Sequence, residues 1–236
     1  TPAYQTEDTA ALEAKLAEDK AFSRWYHTNT RAHKQPGYRA VTLTLKKTGR
    51  VPGDISDEQL EAVADLADQY SFGVLRNSHQ QNMVLADVAA SDLYDLWKAL
   101  DALGFATPNL GLITDIVACP GGDLCALANA KSIPVAESIQ RRFDNMDYVH
   151  DLGLIDLNIS GCMNACGHHH IGHIGILGVD KKGKEFYQVT LGGRGDKESR
   201  VGEKLGPSFE SDQITDVVEN IIKLYVEKRL ENEPFI

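Results

Sequence analysis

The sequence predicts an α+β fold in two parts, and three observations carry that prediction. Segments of strand period and segments of helical period follow one another in the order β-α-β-β-α over residues 37–108. From Asn109 onward the texture changes to glycine-rich loops between short elements, which points to an α/β arrangement. All four cysteines, Cys119, Cys125, Cys162 and Cys166, fall in that second part. The expected organisation is a helix and linker over 1–36, an α+β half domain over 37–108 and a second domain over 109–236.

Each element has its own signal. Leu12, Leu16, Phe22 and Trp25 recur on a helical period between Thr9 and Trp25, and the breaker-rich "HKQPG" after them is expected to be a linker. "YRAVTLTLKK" sets Val41, Leu43 and Leu45 against Thr42, Thr44 and Lys46, the alternation of a half-buried strand. Ser56 and Gln59 form a capping box and Ile55 and Leu60 a hydrophobic staple, so a helix starts there with Leu60, Val63, Ala67 and Tyr70 along one face. The strands "FGVLR" and "NMVLADV" flank the polar "NSHQQ", and a helix carrying Leu93, Leu96, Trp97, Leu100 and Leu103 stops at Gly104. This order is that of a ferredoxin-like half domain, with helices on one face of an antiparallel sheet. Trp25, Tyr70 and Trp97 are expected in packing roles.

In the second part a helix is expected from Pro134, with Val135, Ile139, Phe143 and Met146 at helical spacing, and "LIDLNIS" is a strand running into Gly161 and Cys162. "HIGILGV" and "KEFYQVTL" make a hairpin around "DKKG". A closing amphipathic helix presents Ile214, Val217, Ile221, Leu224 and Tyr225.

Composition narrows the function. The chain has 236 residues with 42% hydrophobic and 25% charged, enough to bury a sizeable core. A net charge of -10 argues against a nucleic-acid partner, since phosphate binding needs a basic surface. No apolar run reaches the roughly 20 residues that span a bilayer, and the N-terminus lacks the apolar block of a signal peptide, so no membrane role and a cytoplasmic location are expected. A chain opening on Thr1-Pro2 is expected to be processed or cut from something longer.

Four cysteines are too few for a disulfide scaffold, and grouped thiols in a reducing compartment more often serve metals. C-x5-C is wide for a zinc knuckle, whereas an iron-sulfur cubane is reached from separate directions, with Gly121, Gly122, Gly161 and Gly167 letting the backbone curl round it. Cluster, zinc and unliganded thiols all stay open on spacing alone.

The flanks add more. "CPGGDLCALANAKSIP" followed by "NISGCMNACGHHHIGHIGILGVDKKGKEFYQVTLGG" resembles the siroheme and [4Fe-4S] site of the assimilatory sulfite and nitrite reductase hemoproteins, and the likeness runs from about Gly37 to the C-terminus. The resemblance implies that Cys119, Cys125, Cys162 and Cys166 ligate a [4Fe-4S] cluster and that Cys166 is also the axial ligand of siroheme, hence the catalytic residue. It places Asn164 against the cluster and the loop "LGGRGDKESRVGEKLG" along the siroheme, with Gly193, Arg194 and Arg200 as contacts. It gives the loop Arg76–Asn82 a largely structural role.

Family members resemble a tandem duplication, of which this chain matches the second half. The implied activity is six-electron reduction of sulfite to sulfide in sulfur assimilation, with electrons from ferredoxin or a flavoprotein. Nitrite reduction to ammonia and a non-catalytic cluster-carrying fragment are the alternatives. The implied partners are the missing N-terminal half or, for an isolated fragment, a second copy in a homodimer. His168, His169, His170 and His173 lie beside this site with no defined duty, and an independent metal site there lacks the glutamate of an H-E-x-x-H helix.

Overall fold

The computed structural model describes residues 2–5, 10–231 and 233–236. The chain divides into two compact units, 1–47 with 53–110 and 48–52 with 111–236. Among the described residues no helix is long and apolar enough to cross a membrane.

In the first unit the helix expected from Thr9 to Trp25 is two helices, α1 (Ala10–Glu18) and α2 (Lys20–Asn29); Thr9 itself lies outside the described residues. The break is at Asp19, whose carboxylate accepts the N–H groups of Ala21 and Phe22, each at 3.0 Å. The stretch after α2, expected as linker, begins with β1 (Thr30–Ala32), an edge strand on β2 (Tyr38–Leu43). Three residues are too few to show a period.

α3 (Asp57–Tyr70) carries the capping box: Gln59 N donates to Ser56 Oγ at 3.2 Å and Ser56 N to Gln59 Oε1 at 3.1 Å. Val63 and Ala67 are buried, but Leu60 is 43% exposed, so the packed face is narrower than the sequence predicts. β3 (Leu75–Asn77), β4 (Met83–Ala89) and α4 (Leu93–Leu103) complete the unit, and Gly104 closes α4 at φ 80°. The sheet order is β1-β2-β4-β3, antiparallel throughout. Phe22, Trp25, Val41, Leu85, Leu96 and Leu100 lie at the centre of its core. The turn between β3 and β4 is tied down by buried groups: Lys46 Nζ donates to Gln80 O at 2.9 Å, and Asn82 Oδ1 accepts the Leu45 N–H at 3.0 Å.

The second unit holds β5 (Val117–Ala118), α5 (Ile133–Arg142), α6 (Met146–Leu152), β6 (Leu157–Ser160), β7 (Ile174–Lys181), β8 (Lys184–Leu191), β9 (Glu203–Lys204), β10 (Phe209–Glu210) and α7 (Ile214–Lys228). Its sheet runs β10-β8-β7-β6-β5, with β9 on β8. β5, β6 and β7 are parallel and the remaining pairs antiparallel. The helix expected to continue from Pro134 to Met146 is again two, since Asn145 caps α6 by accepting the Tyr148 N–H at 3.0 Å. The β7-β8 turn puts Lys182 and Gly183 at φ 57° and 78°, the two left-handed positions that a tight two-residue hairpin needs.

α7 buries Ile214, Thr215, Val218 and Ile222, while Leu224 is 56% exposed and Val217, Ile221 and Tyr225 are half-buried at its margin. The helix therefore turns a stripe inward that is offset from the expected one. It carries two apolar stripes, and side-chain contacts with α5 select between them: Thr215 Oγ1 meets Ser138 Oγ at 2.9 Å and Arg142 pairs with Asp216 at 2.9 Å.

Candidate functional site

The site is built at the C-terminal ends of two parallel strands. β5 and β6 pair with Val117 opposite Asn158 and Ala118 opposite Ile159, so the chain leaves both strands side by side and enters the two cysteine loops there. Cys119 N donates to Ile159 O at 3.1 Å. Its sulfur accepts the Gly161 N–H at 3.0 Å and lies 3.4 Å from Ser132 Oγ. Bond lengths then put Cys119 Sγ within about 8 Å of the Cα of Cys162.

The first loop folds against the second. Cys125 N donates to Gly121 O at 2.9 Å, and Asn129 N and Ala130 N both donate to Gly161 O, at 2.8 and 3.0 Å. A Cβ at Gly161 would stand 2.6 Å from Ala130 O and 2.9 Å from Gly121 Cα, closer than packing allows. Glycine is what lets the two backbones touch.

The second loop is two consecutive turns. Ala165 N donates to Cys162 O at 3.1 Å and His168 N to Ala165 O at 2.8 Å, with Ala165 and His168 in the left-handed region at φ 56° and 53°. Neither is glycine, so each conformation is strained by about 1 kcal/mol or more. Gly167 N donates to Ser160 Oγ at 3.1 Å, which fixes the loop to the end of β6. The result is graded burial: Cys119 and Cys162 are buried, Cys125 is half-buried and Cys166 is exposed. Leu124, Leu127 and Met163 beside them are 80%, 73% and 84% exposed, an apolar rim around the outer cysteines.

These residues fit an iron-sulfur cluster. All four thiols are free. A single zinc ion would need its thiolates gathered at the roughly 2.3 Å Zn–S bonds of one centre. Thiolates on the corners of a cubane stand farther apart, and sulfur atoms there accept backbone N–H groups, as Cys119 does from Gly161.

The other predicted residues divide. Asn164 is exposed on the turn between Cys162 and Cys166. Gly193 is buried against the histidine turn, where a Cβ would stand 2.7 Å from His170 O. Gly192 N donates to His173 O at 3.0 Å and Gly202 N to His170 O at 2.8 Å, so the glycine-rich loop is laid along the turn that follows Cys166. Within that loop Arg194 and Arg200 face each other across a short hairpin.

His168 is exposed and His170 half-buried. His169 is 8% exposed, its Nδ1 has no partner among the described residues, and burial, then His170, lowers its pKa to about 4. His173 Nδ1 accepts the Asp156 N–H at 3.2 Å, and burial lowers its pKa against the opposing pull of Asp156.

Sequence reasoning missed Ser132 and Ser160. Ser132 stands at the N-cap position of α5 but makes no capping bond, its hydroxyl lying instead against Cys119 Sγ. A serine before "IP" reads as a cap, so nothing in the sequence separates the two roles. The exposed leucines of "GGDLCALANA" were the available signal for the apolar rim.

Residues 111–234 match the family described as "Nitrite and sulphite reductase 4Fe-4S domain", and residues 31–103 match "Nitrite/Sulfite reductase ferredoxin-like half domain". The chain is 32% identical over 211 residues to sulfite reductase [ferredoxin] 2 of Mycolicibacterium paratuberculosis, covering 84% of this chain and 38% of that protein. It is 31% identical over 204 residues to the chloroplastic ferredoxin--nitrite reductase of Betula pendula, covering 81% and 33%. The structure of the Mycobacterium tuberculosis NirA protein superposes with a TM-score of 0.71 at 30% identity, over 89% of this chain and 39% of that one. The chain thus spans under two fifths of the length of these relatives. With one domain matching its cysteine unit and the other its antiparallel unit, the chain belongs to the nitrite and sulphite reductase family.

Proposed function

We propose that this chain is the second half of a siroheme- and [4Fe-4S]-dependent reductase that converts sulfite to sulfide. The observation that supports this best is the contact of Cys119 Sγ with Gly161 N, which brings the C-x5-C loop and the C-x3-C loop to one place. In this reading Cys119, Cys125, Cys162 and Cys166 would hold the cluster, and Cys166, the exposed member, would also hold the siroheme iron. Asn164 borders the cluster, and Gly193, Arg194 and Arg200 line the macrocycle. When bound, the two groups would supply one-electron redox chemistry for reduction of the anion.

The chain's own contribution is placement. Buried Cys119 and Cys162 anchor the inner side, the strained turns at Ala165 and His168 hold Cys166 at the surface, and Leu124, Leu127 and Met163 would exclude water once a partner surface covers them. Ferredoxin is the favoured electron donor because the relatives' names carry it, with a flavoprotein as the other option. Nitrite is the second substrate reading, since a nitrite reductase matches at 31% against 32% for a sulfite reductase. A cluster carrier without catalysis of its own is the reading that follows if the first half is never supplied; a second copy is the alternative cover for the apolar rim.

The test is product analysis of the chain combined with a first half, siroheme and reduced ferredoxin. Sulfide from sulfite at a kcat/KM above that for ammonia from nitrite is the expected result. The reverse ratio would move the assignment to nitrite, and neither product from a siroheme-loaded assembly would overturn it.

A further inference from the structure

Arg194 and Arg200 are direct cross-strand partners, each backbone N–H donating to the other's carbonyl, at 2.9 and 3.0 Å. Side chains of such a pair leave the ribbon on the same face, and like charges set opposite one another destabilise it. Here the charge is answered from within the same turn. Arg194 Nε and Nη2 meet Asp196 Oδ2 at 2.9 and 2.8 Å, and Nη1 meets Glu198 Oε2 at 2.7 Å. Asp196 Oδ1 also accepts the Glu198 N–H at 2.9 Å, so one carboxylate both shapes the turn and pairs with the guanidinium. The backbone bond to Glu198 and then Arg194 hold the Asp196 carboxyl below its ordinary range. Arg200 is tethered separately, Nε donating to Gly192 O at 2.8 Å.

The Asp196 and Glu198 side chains are 53% and 75% exposed. Ion pairs in that much water are weak and exchange readily. A small anion offers Arg194 no more than the two carboxylates already present, at a far lower effective concentration. A ligand with several carboxylates, held elsewhere by its other groups, competes on equal terms.

We propose that Asp196 and Glu198 are built-in counterions that hold Arg194 closed to small anions and yield it to a polycarboxylate macrocycle. This rests on the reading that Arg194 and Arg200 contact siroheme carboxylates. It adds a selectivity device to that contact.

Fluorescence titration of the full chain with uroporphyrin, an octacarboxylate tetrapyrrole, tests it. D196N/E198Q removes both charges, while the amide introduced by D196N keeps an oxygen to accept the backbone N–H two residues on. This variant should bind the probe roughly fivefold more tightly, and sulfate should displace the probe from it but not from the parent. Adding R194Q should abolish both effects. If D196N/E198Q gains nothing while R194Q and R200Q each weaken binding, the counterion device is wrong and the macrocycle contact stands. If R194Q and R200Q bind like the parent, the contact itself is wrong. No binding by any variant overturns both.

Discussion

Both units place left-handed glycines at turns, Gly111, Gly153, Gly183 and Gly192 among them in the cysteine unit, but the cysteine unit adds a second use. In the antiparallel unit Gly37, Gly73 and Gly104 have left-handed backbones, φ 81°, 69° and 80°, and stand at turns and helix ends. In the cysteine unit Gly161, Gly167, Gly175 and Gly193 are pressed against carbonyl groups of neighbouring segments, where any Cβ would collide. A turn glycine supplies a conformation. A contact glycine lets two backbones meet, and in this chain those contacts surround the cysteine loops and the histidine turn. The strained residues Ala165 and His168 sit on either side of Cys166 as well. Both units have a continuous core, and the cysteine unit in addition spends part of its stability on holding its loops together.

Exchanging one glycine of each kind tests the contrast most severely. Gly167→Ala drives a methyl into Ile159 O and should cost the cysteine unit about 3 kcal/mol. Gly104→Ala, at a left-handed helix cap, should cost about 1 kcal/mol. Denaturant unfolding followed by hydrogen exchange, which assigns the loss to a unit, measures both; equal costs would dissolve the distinction.

The antiparallel unit has its own sensitive point. Asn82→Ala leaves the buried Leu45 N–H without its acceptor, for a loss of about 2 kcal/mol confined to the antiparallel unit. Hydrogen exchange should show the cysteine unit unchanged.

A third effect follows from His169 in the cluster-free chain. Its folded pKa, about 4, lies below its ordinary 6.5, so the unfolded chain takes up the proton first. Stability is then intact above pH 6.5 and is lost as pH falls from 6.5 to about 4, on the order of 2 kcal/mol after allowing for partial hydration. Melts across that window should show the decline in the parent and a flatter profile in His169→Gln.

The smallest effect on stability belongs to the rim. Leu124→Ser and Met163→Ser change stability by about 0.5 kcal/mol or less, because both side chains already face solvent. If a second copy covers the rim, sedimentation should show weaker self-association in both variants, since the apolar surface it would bury is reduced.

How much of this was legible in the sequence differs between the same two regions. The Ser56–Gln59 capping box, the alternation through Val41 and Leu43 and the stop at Gly104 are local signals, and the structure carries each of them. β1 and the breaks at Asp19 and Asn145 were not legible, because apolar spacing runs on across a cap that only side-chain geometry reveals. Around the cysteines the loops were legible as glycine-rich, but which glycine touches which carbonyl depends on the β5-β6 register, a long-range pairing that no short window holds. The choice between the two stripes of α7 is of the same kind.

The central claim is that the four cysteines hold one cubane cluster between them, and iron and acid-labile sulfide counts after anaerobic reconstitution test it most directly. About four iron and four sulfide per chain, lost in Cys119→Ala, Cys125→Ala and Cys162→Ala and perturbed in Cys166→Ser, is the predicted result. A single tightly held zinc ion without sulfide, or full iron and sulfide retained when Cys119 or Cys162 is replaced, would contradict it.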